Sequence, residues 1–425
     1  MPHSDELTEE VRSLFCNNVL DDPYPLYRRV REQSAFFEID DFIIVTRHPH
    51  VREVYSDSGR FQSNHWRPGT PEYESIRGYI EALDDDDRRR YDEISAFQRL
   101  LLTQSIDPEH RRKRDVFRRA FEPRALASLE DHVQDVVDRL VDAIAEDPDA
   151  DLRSQFGFRV PLLTHMYMLG VPESDLGLLT NWSTRMTDFS QRTRVEVLLP
   201  LHEMIGELRE YVRELVDTQR DSPGELTFLP TLIAALDAGE IDFEELLGMC
   251  ANVLLTGSGT TMSLIATGIV TFMRNRDQWV RLCEQPELAA YAVEECLRFE
   301  PPLQGTGRNV MEDVELGGRA IPAGKRLLAI IAAANHDPAV FAEPDRFLIE
   351  RKDGKHKLTF APGEHGCLGA VLSRMEGRVV FSTLARRHPD MELADEPVEW
   401  LRNTMLRTPN VLHVSLGAAR QYAAR

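Results

Sequence analysis

From Leu246 to Met273 the chain carries no charged residue. A helix over that run is long enough to cross a bilayer, so it either spans a membrane or lies inside a large protein. The residues within the run decide between these. Asn252, Thr256, Ser258, Thr260, Thr261, Ser263 and Thr267 recur along it, with glycines at 257 and 259. That is too polar for lipid on all sides, and the flank Asp242, Glu244 and Glu245 gives no basic anchor. The run predicts a helix through the middle of a soluble protein. With 425 residues, 42% of them hydrophobic, the chain can surround such a helix.

Helical periodicity dominates the remainder. Predicted helices cover about 23–33, 108–121, 124–146, 154–169, 174–189, 195–220, 242–273, 276–284, 287–299 and 369–387. Residues 40–46 read as a strand. From Val314 the pattern alternates like a hairpin, with turns at Gly317-Gly318 and Pro322–Gly324, and short strands are expected near 390–394 and 410–416. Residues 59–105 read as a long loop with one or two short helices, able to serve as a lid. No repeat or low-complexity linker divides the chain. The expectation is one domain over 1–425, mainly α with a minor β part: an α-rich core at about 100–300 and 360–387, and small β regions at about 38–60, 312–333 and 390–416.

A formal net charge of -21 argues against nucleic acid or an anionic membrane as the main partner, since both repel a negative field. The N-terminal Met-Pro-His-Ser-Asp-Glu has no apolar segment, so no secretory signal is expected. The cysteines at 16, 250, 283, 296 and 367 are scattered, with no CxxC pair. They predict reduced thiols and a cytoplasmic setting.

The segment with the most chemistry is Phe360-Ala-Pro-Gly-Glu-His-Gly-Cys367-Leu-Gly-Ala. Glycines and a proline lead the backbone tightly to one cysteine just before a helix. Free N–H groups and the positive end of the helix dipole are expected to lower the thiol pKa there. A thiolate so placed is a metal ligand or a nucleophile; a small buried cysteine in a turn is the plain alternative.

This segment resembles the haem-binding loop of the cytochromes P450, F-G-x-G-x-H-x-C-x-G. Phe360, Gly363, His365, Cys367 and Gly369 match, and Ala361 replaces the first glycine. Further matches follow the family's order. Glu295-Cys-Leu-Arg298 is similar to E-x-x-R, and its i, i+3 spacing sets both side chains on one helical face. Phe299-Glu-Pro-Pro and Arg308 come next, then Asn335-His-Asp-Pro, Phe341, Pro344 and Phe347. Upstream, Asp107-Pro-Glu-His110 with Arg114 resembles D-P-P-E-H-x-x-x-R, short of one proline. The ordered set spans nearly the whole chain.

The resemblance implies the P450 fold, a triangular helical prism with small sheets, and haem b as cofactor. It makes Cys367 the axial thiolate, which favours O–O cleavage. His110, Arg114, Arg308 and His365 become propionate ligands, Phe360, Gly363, Gly369 and Gly257 haem contacts, and Glu295 and Arg298 a structural brace, joined by Arg346. The implied reaction is oxidation of a small organic molecule, by hydroxylation, epoxidation or coupling, in secondary metabolism. Electrons would come from a ferredoxin and its reductase.

One departure bears on mechanism. The central helix reads Thr256-Gly257-Ser258-Gly259-Thr260-Thr261 where most members read A-G-x-[D/E]-T-T, so Gly259 stands at the acid's position. A carboxylate relays protons and glycine cannot. Three explanations follow. Ser258, Thr256 and water form a substitute relay beside Thr260, a substrate group completes it, or the enzyme is a peroxygenase, coupling or nitrating enzyme needing little proton delivery. The expected substrate pocket draws on Trp66, Phe97, Leu101, Met186, Phe189, Val253, Leu303, Gln304, Thr306, Met405 and Leu406.

Charge is uneven. Residues 111–124 hold seven basic side chains against two acidic, and 351–357 four against one. The resemblance puts both segments beside the Cys loop, so an acidic ferredoxin is expected to dock near Arg111, Arg112, Lys113 and Lys352.

Overall fold

The computed structural model describes residues 5–15, 20–121, 123–147, 149–186, 193–221, 228–403 and 405–417. The uncharged run forms one continuous helix from Phe243 to Arg274, with 76% of its most apolar window buried inside the protein. Asp242 starts it: its carboxylate accepts from Glu245 N at 2.8 Å, and Glu245 accepts from Asp242 N in return. Midway the helix widens to π geometry over Asn252–Thr256 and resumes as a regular α-helix at Gly257. The distortion sits just before the two glycines rather than on them. The Asn252 amide donates to Gly248 O and the Thr256 hydroxyl to Asn252 O, so side chains cover carbonyls where the ladder changes pitch.

Two helices clasp this one. These are Arg159–Leu169 and Ala370–Arg387, which follows the Cys loop, and the two also touch each other. The latter packs on Ala289–Phe299 and Pro123–Glu146. Leu264, Ile265, Ala266, Phe272 and Phe381 are inaccessible to solvent in that core.

The β part has a five-stranded sheet in the order β1-β2-β7-β4-β3. These are β1 (Phe36–Ile39), β2 (Phe42–Val45), β3 (Phe61–Gln62), β4 (Thr306–Val310) and β7 (Arg326–Ala329). β2 and β7 run parallel, and the other pairs are antiparallel. The expected hairpin is β5 (Val314–Leu316) with β6 (Arg319–Ile321), and β8 (Glu392–Leu393) pairs with β9 (Val414–Ser415). Strand β4 was not expected; it carries Thr306 and Arg308 inward.

The segment 59–105 is more ordered than its polarity predicts. It holds helices Pro71–Ser75 and Arg77–Glu81 and a third, Asp85–Leu100, of 16 residues. Asp84 caps the third, accepting from Asp87 N at 2.8 Å, and acidic residues fill its first turn. The Asp84–Asp87 run is therefore a helix start and not a loop.

Glu295 and Arg298 are 1% and 0% exposed. Arg298 donates twice to Glu295, at 2.8 Å each, and to the carbonyls of Asn335 (3.0 Å), Pro344 (2.8 Å) and Arg346 (3.1 Å). The Arg346 side chain pairs with Glu343 at the surface, so only its carbonyl joins the brace. The second guanidinium belongs to Arg351, 3.0 Å from both Glu295 oxygens.

Candidate active site

The Cys loop closes on itself. Cys367 N donates to Phe360 O at 2.8 Å and Gly366 N to Gly363 O at 3.0 Å. Gly363 has φ 85°, and a Cβ there would lie 2.9 Å from Ser56 Cα, so no other residue fits. Ala361, in place of the family's glycine, also sits left-handed at φ 51°, a conformation that costs a non-glycine residue about 1–2 kcal/mol.

The Cys367 sulfur opens onto a cavity of about 530 Å³. It accepts from Gly369 N and Ala370 N at the start of the following helix. The thiol pKa nevertheless rises, because burial outweighs those N–H groups and the charges of Arg114 and Arg374. The sequence shows the helix start but not the burial, so the expected lowering is corrected.

Cations and donors line one wall. Arg308 is packed over the Tyr55 ring at 4.6 Å and donates to Thr306 Oγ1 (2.6 Å) and Gly307 O (2.7 Å). Arg114 donates to Gly366 O at 2.8 Å. Among the described residues neither guanidinium has a carboxylate partner. The His110 and His365 rings stack at 3.9 Å, and His110 Nε2 is buried without a partner. Burial, then the charges of His110, Arg308 and Arg114, pushes His365 down to about 3. Burial and Arg114 lower His110 as well. Such a cluster fits the two carboxylates of a haem, whose negative charge would satisfy the guanidiniums and the orphaned nitrogen.

The central helix lines the same cavity. Val253, Thr256, Gly257 and Thr260 face the cavity, and the Thr260 hydroxyl donates to Gly257 O at 3.3 Å. Ser258 does not face it. It is fully buried behind the helix, its Oγ 3.0 Å from His165 Nδ1. Gly259 is absent from the lining, and a Cβ there would meet nothing within 4 Å.

His165 was not expected. It lines the cavity through the gap at Gly257, where a Cβ would come within 2.7 Å of its ring. Burial pushes it down to about 4, so it stays neutral in the fold while the unfolded chain takes a proton below about 6.5. Its contribution to stability is present above pH 6.5 and is lost as pH falls to 4, about 3 kcal/mol in all. Urea unfolding should show a drop of that size across the window in the wild type, and a flatter profile in His165→Gln.

Several expected pocket residues lie elsewhere. Trp66, Phe97 and Leu101 are buried in the main core, with Trp66 against Tyr91 at 5.9 Å. Met186 packs on the same core. Gln304 is buried, its side-chain amide donating to Pro301 O at 2.9 Å, and its backbone N donates to Met405 O at 2.8 Å; neither residue lines the cavity. Leu406 bridges to Leu303 and does not reach the lining, whereas Leu303 and Thr306 do. Phe189 lies outside the described residues. Tyr55, Thr261, Ser373 and Glu376 line the cavity as well and were not anticipated.

The docking residues also change. Lys113 has only 3% of its side chain exposed; its Nζ faces Ser105 Oγ at 3.3 Å and Glu245 at 3.9 Å. Arg112 is forked onto the Glu245 carboxylate. Arg111 is 68% exposed and pairs with Asp107 at 2.9 Å and with Glu364 of the Cys loop at 3.3 Å, and Lys352 is exposed.

Comparison with known proteins agrees with this geometry. The family model for cytochrome P450 matches residues 281–392. Cytochrome P450 monooxygenase PikC of Streptomyces venezuelae is 32% identical over 95% of this chain and 93% of its own length. Nocardicin C N-oxygenase of Nocardia uniformis subsp. tsuyamanensis is 32% identical over 94% of this chain and 97% of its own. Among solved structures, P450BioI bound to an acyl carrier protein carrying hexadec-9Z-enoic acid superposes with a TM-score of 0.81 at 26% identity, covering 95% of this chain and 98% of that one. A Cys loop on a cavity, a buried Glu-Arg brace and full-length likeness to such enzymes place the chain in the cytochrome P450 family, whose members bind haem.

Proposed function

We propose that this haem-thiolate monooxygenase oxidises a small, largely apolar molecule of secondary metabolism with dioxygen and ferredoxin-supplied electrons. The observation that carries the reading is the Cys367 sulfur on a cavity also lined by Thr260, Arg114 and Arg308, the two cations having no carboxylate partner among the described residues. Haem bound there would supply the oxidising chemistry, the activation of dioxygen for transfer of one oxygen atom. The chain's residues do the rest. Cys367 would supply the thiolate to the iron, and the Gly369 and Ala370 amides would temper its charge. Arg308, Arg114, His110 and His365 would hold the propionates. Thr260 keeps a hydroxyl beside the reacting position. Leu102, Val253, Leu303 and Ile331 supply apolar walls, and Gln104, Asn252 and Thr306 a few polar anchors.

Gly259 favours a second reading, turnover driven by peroxide. One experiment separates them: screen compounds by the shift of the haem absorption band, then assay the best with dioxygen, NAD(P)H and a ferredoxin–reductase pair, or with hydrogen peroxide alone. Product only in the first assay is expected. Full activity with peroxide alone transfers the function to the second reading, and no product in either sinks both.

The ferredoxin surface has its own test. Arg111 and Arg118 each have side chains 68% exposed. Arg111→Glu with Arg118→Glu should slow reduction by an acidic ferredoxin about tenfold or more at low salt, and the gap should close as salt rises. Stopped-flow reduction at two ionic strengths reads this directly.

A further inference from the structure

One ring nitrogen reaches the cavity with no role in the scheme above. His165 stands on helix Arg159–Leu169, is 5% exposed and lines the cavity beside Gly257. A Cβ at Gly257 would lie 2.7 Å from its Cε1 and 3.2 Å from its Nε2. Glycine therefore leaves a notch in the central helix where the edge of the ring shows. Nδ1 lies 3.0 Å from Ser258 Oγ. No hydrogen bond reaches Nε2 among the described residues, and the atom keeps accessible surface.

The hydrogen bonds of Ser258 fix which form of the ring the cavity meets. Its hydroxyl has one proton and two neighbours, His165 Nδ1 and Leu254 O, the latter at 3.3 Å. A carbonyl can only accept. With the serine proton on Leu254 O, Nδ1–H donates to Ser258 and both bonds form; with that proton turned to Nδ1, one bond is lost. The first arrangement leaves the lone pair on Nε2. Burial keeps the ring neutral, and no charged group contributes. Nε2 is then a neutral hydrogen-bond acceptor facing the cavity.

The rest of this wall has the same character. Thr256, Thr260 and Thr261 line the cavity, and each hydroxyl donates within the protein: to Asn252 O, to Gly257 O at 3.3 Å and to Ser373 Oγ at 3.2 Å. The wall offers lone pairs, and its own protons are already committed. It suits a molecule that brings a donor. That donor is neutral, because an ammonium would find no counter-charge. Among the described residues lining the cavity the one carboxyl is Glu376, which is 0% exposed and pushed up to about 8 by burial.

We propose that His165 determines specificity in this cavity, its Nε2 accepting a hydrogen bond from a neutral O–H or N–H of the substrate seated in the notch at Gly257. The inference rests on the monooxygenase reading and narrows its substrate to an apolar molecule carrying such a donor. His165 touches the substrate, and Ser258, which sets the tautomer of the ring, is a positioning residue.

Two probe pairs test this, indole with N-methylindole and phenol with anisole. In each, methylation removes the donor and changes little else. Affinity is read from the shift of the haem absorption band in the holoenzyme. The wild type should bind the donor member roughly three- to tenfold tighter, the net effect of one hydrogen bond. His165→Asn keeps an amide to donate to Ser258 but removes Nε2, so the preference should vanish. His165→Gln, whose longer side chain carries an amide oxygen to the notch, should retain it. A merely structural histidine, or the space left by a smaller side chain, would move both variants alike. Equal preference in wild type and His165→Asn, or no binding of any probe, overturns the proposal. If neither variant accumulates, nitrogen NMR of the histidine-labelled wild type decides. An unprotonated imidazole nitrogen should shift with indole and not with N-methylindole, and identical spectra with both overturn the proposal. A protein that forms no haem-thiolate spectrum defeats the monooxygenase reading instead, and the nitrogen shifts, which need no haem, still decide whether His165 is the acceptor.

Discussion

Arg298→Ala is expected to destabilise the protein by about 3–5 kcal/mol and to strip it of bound haem, although Arg298 lines no part of the cavity. Removing one member of a buried ion pair leaves the other charged and dry, and Glu295 would keep Arg351 and the Leu348 amide. The lost guanidinium also binds three carbonyls at once, and each would be left buried with one bond fewer. The damage reaches the site by a short path. Arg298 holds Asn335 O, and the Asn335 side chain donates to Thr359 Oγ1 at 3.0 Å and accepts from Leu358 N at 2.8 Å. Thr359 precedes Phe360, whose carbonyl fixes the Cys367 amide. Arg298→Lys keeps the charge but not the fork, so it should recover only part of the loss. Arg346→Ala, whose side chain pairs at the surface, should change stability by less than about 0.5 kcal/mol. Urea unfolding with haem retention as a parallel readout checks all three; equal losses for Arg298→Ala and Arg346→Ala would refute the brace.

How far the sequence reached depends on the kind of signal. Long helices were legible because their apolar spacing repeats, and the Cys loop because glycine, proline and cysteine constrain backbone and chemistry together. Other positions needed the fold. Ser258 was expected beside Thr256 and Thr260, yet two residues along a helix turn the side chain about 200° away. Helical geometry alone could have excluded it. Lys113 reads as part of a basic run, but His110, Lys113, Phe117 and Ala120 share the buried face of their helix; spacing held that signal and charge masked it. Trp66 and Phe97 point into the core because the polar stretch around them folds into helices. Glu376 gave no signal of its own, since one glutamate in a helix is ordinary until neighbouring helices remove its water.

Cys367→Ser should keep the fold and lose the chemistry, the reverse of Arg298→Ala. Serine fits the same loop, and its oxygen can accept from the Gly369 and Ala370 amides, so stability should move by about 1 kcal/mol or less. Reactivity cannot survive. The thiol is already held above its ordinary pKa by burial, and a serine hydroxyl is a far weaker acid, so no comparable anion forms. A hard oxygen also lacks the soft electron donation that a thiolate gives to iron. The reduced carbon monoxide complex should lose the red-shifted band of the family, and product formation should fall to background. Haem can still be retained, because Arg308, Arg114, His110 and His365, proposed above to hold its carboxylates, are untouched. Retained haem with a displaced band would separate the proposed iron-ligating role of Cys367 from general binding. An unchanged band in Cys367→Ser would mean that another residue ligates the iron; among the described cysteines, 250 and 296 are buried with raised pKa values, and neither lines the cavity.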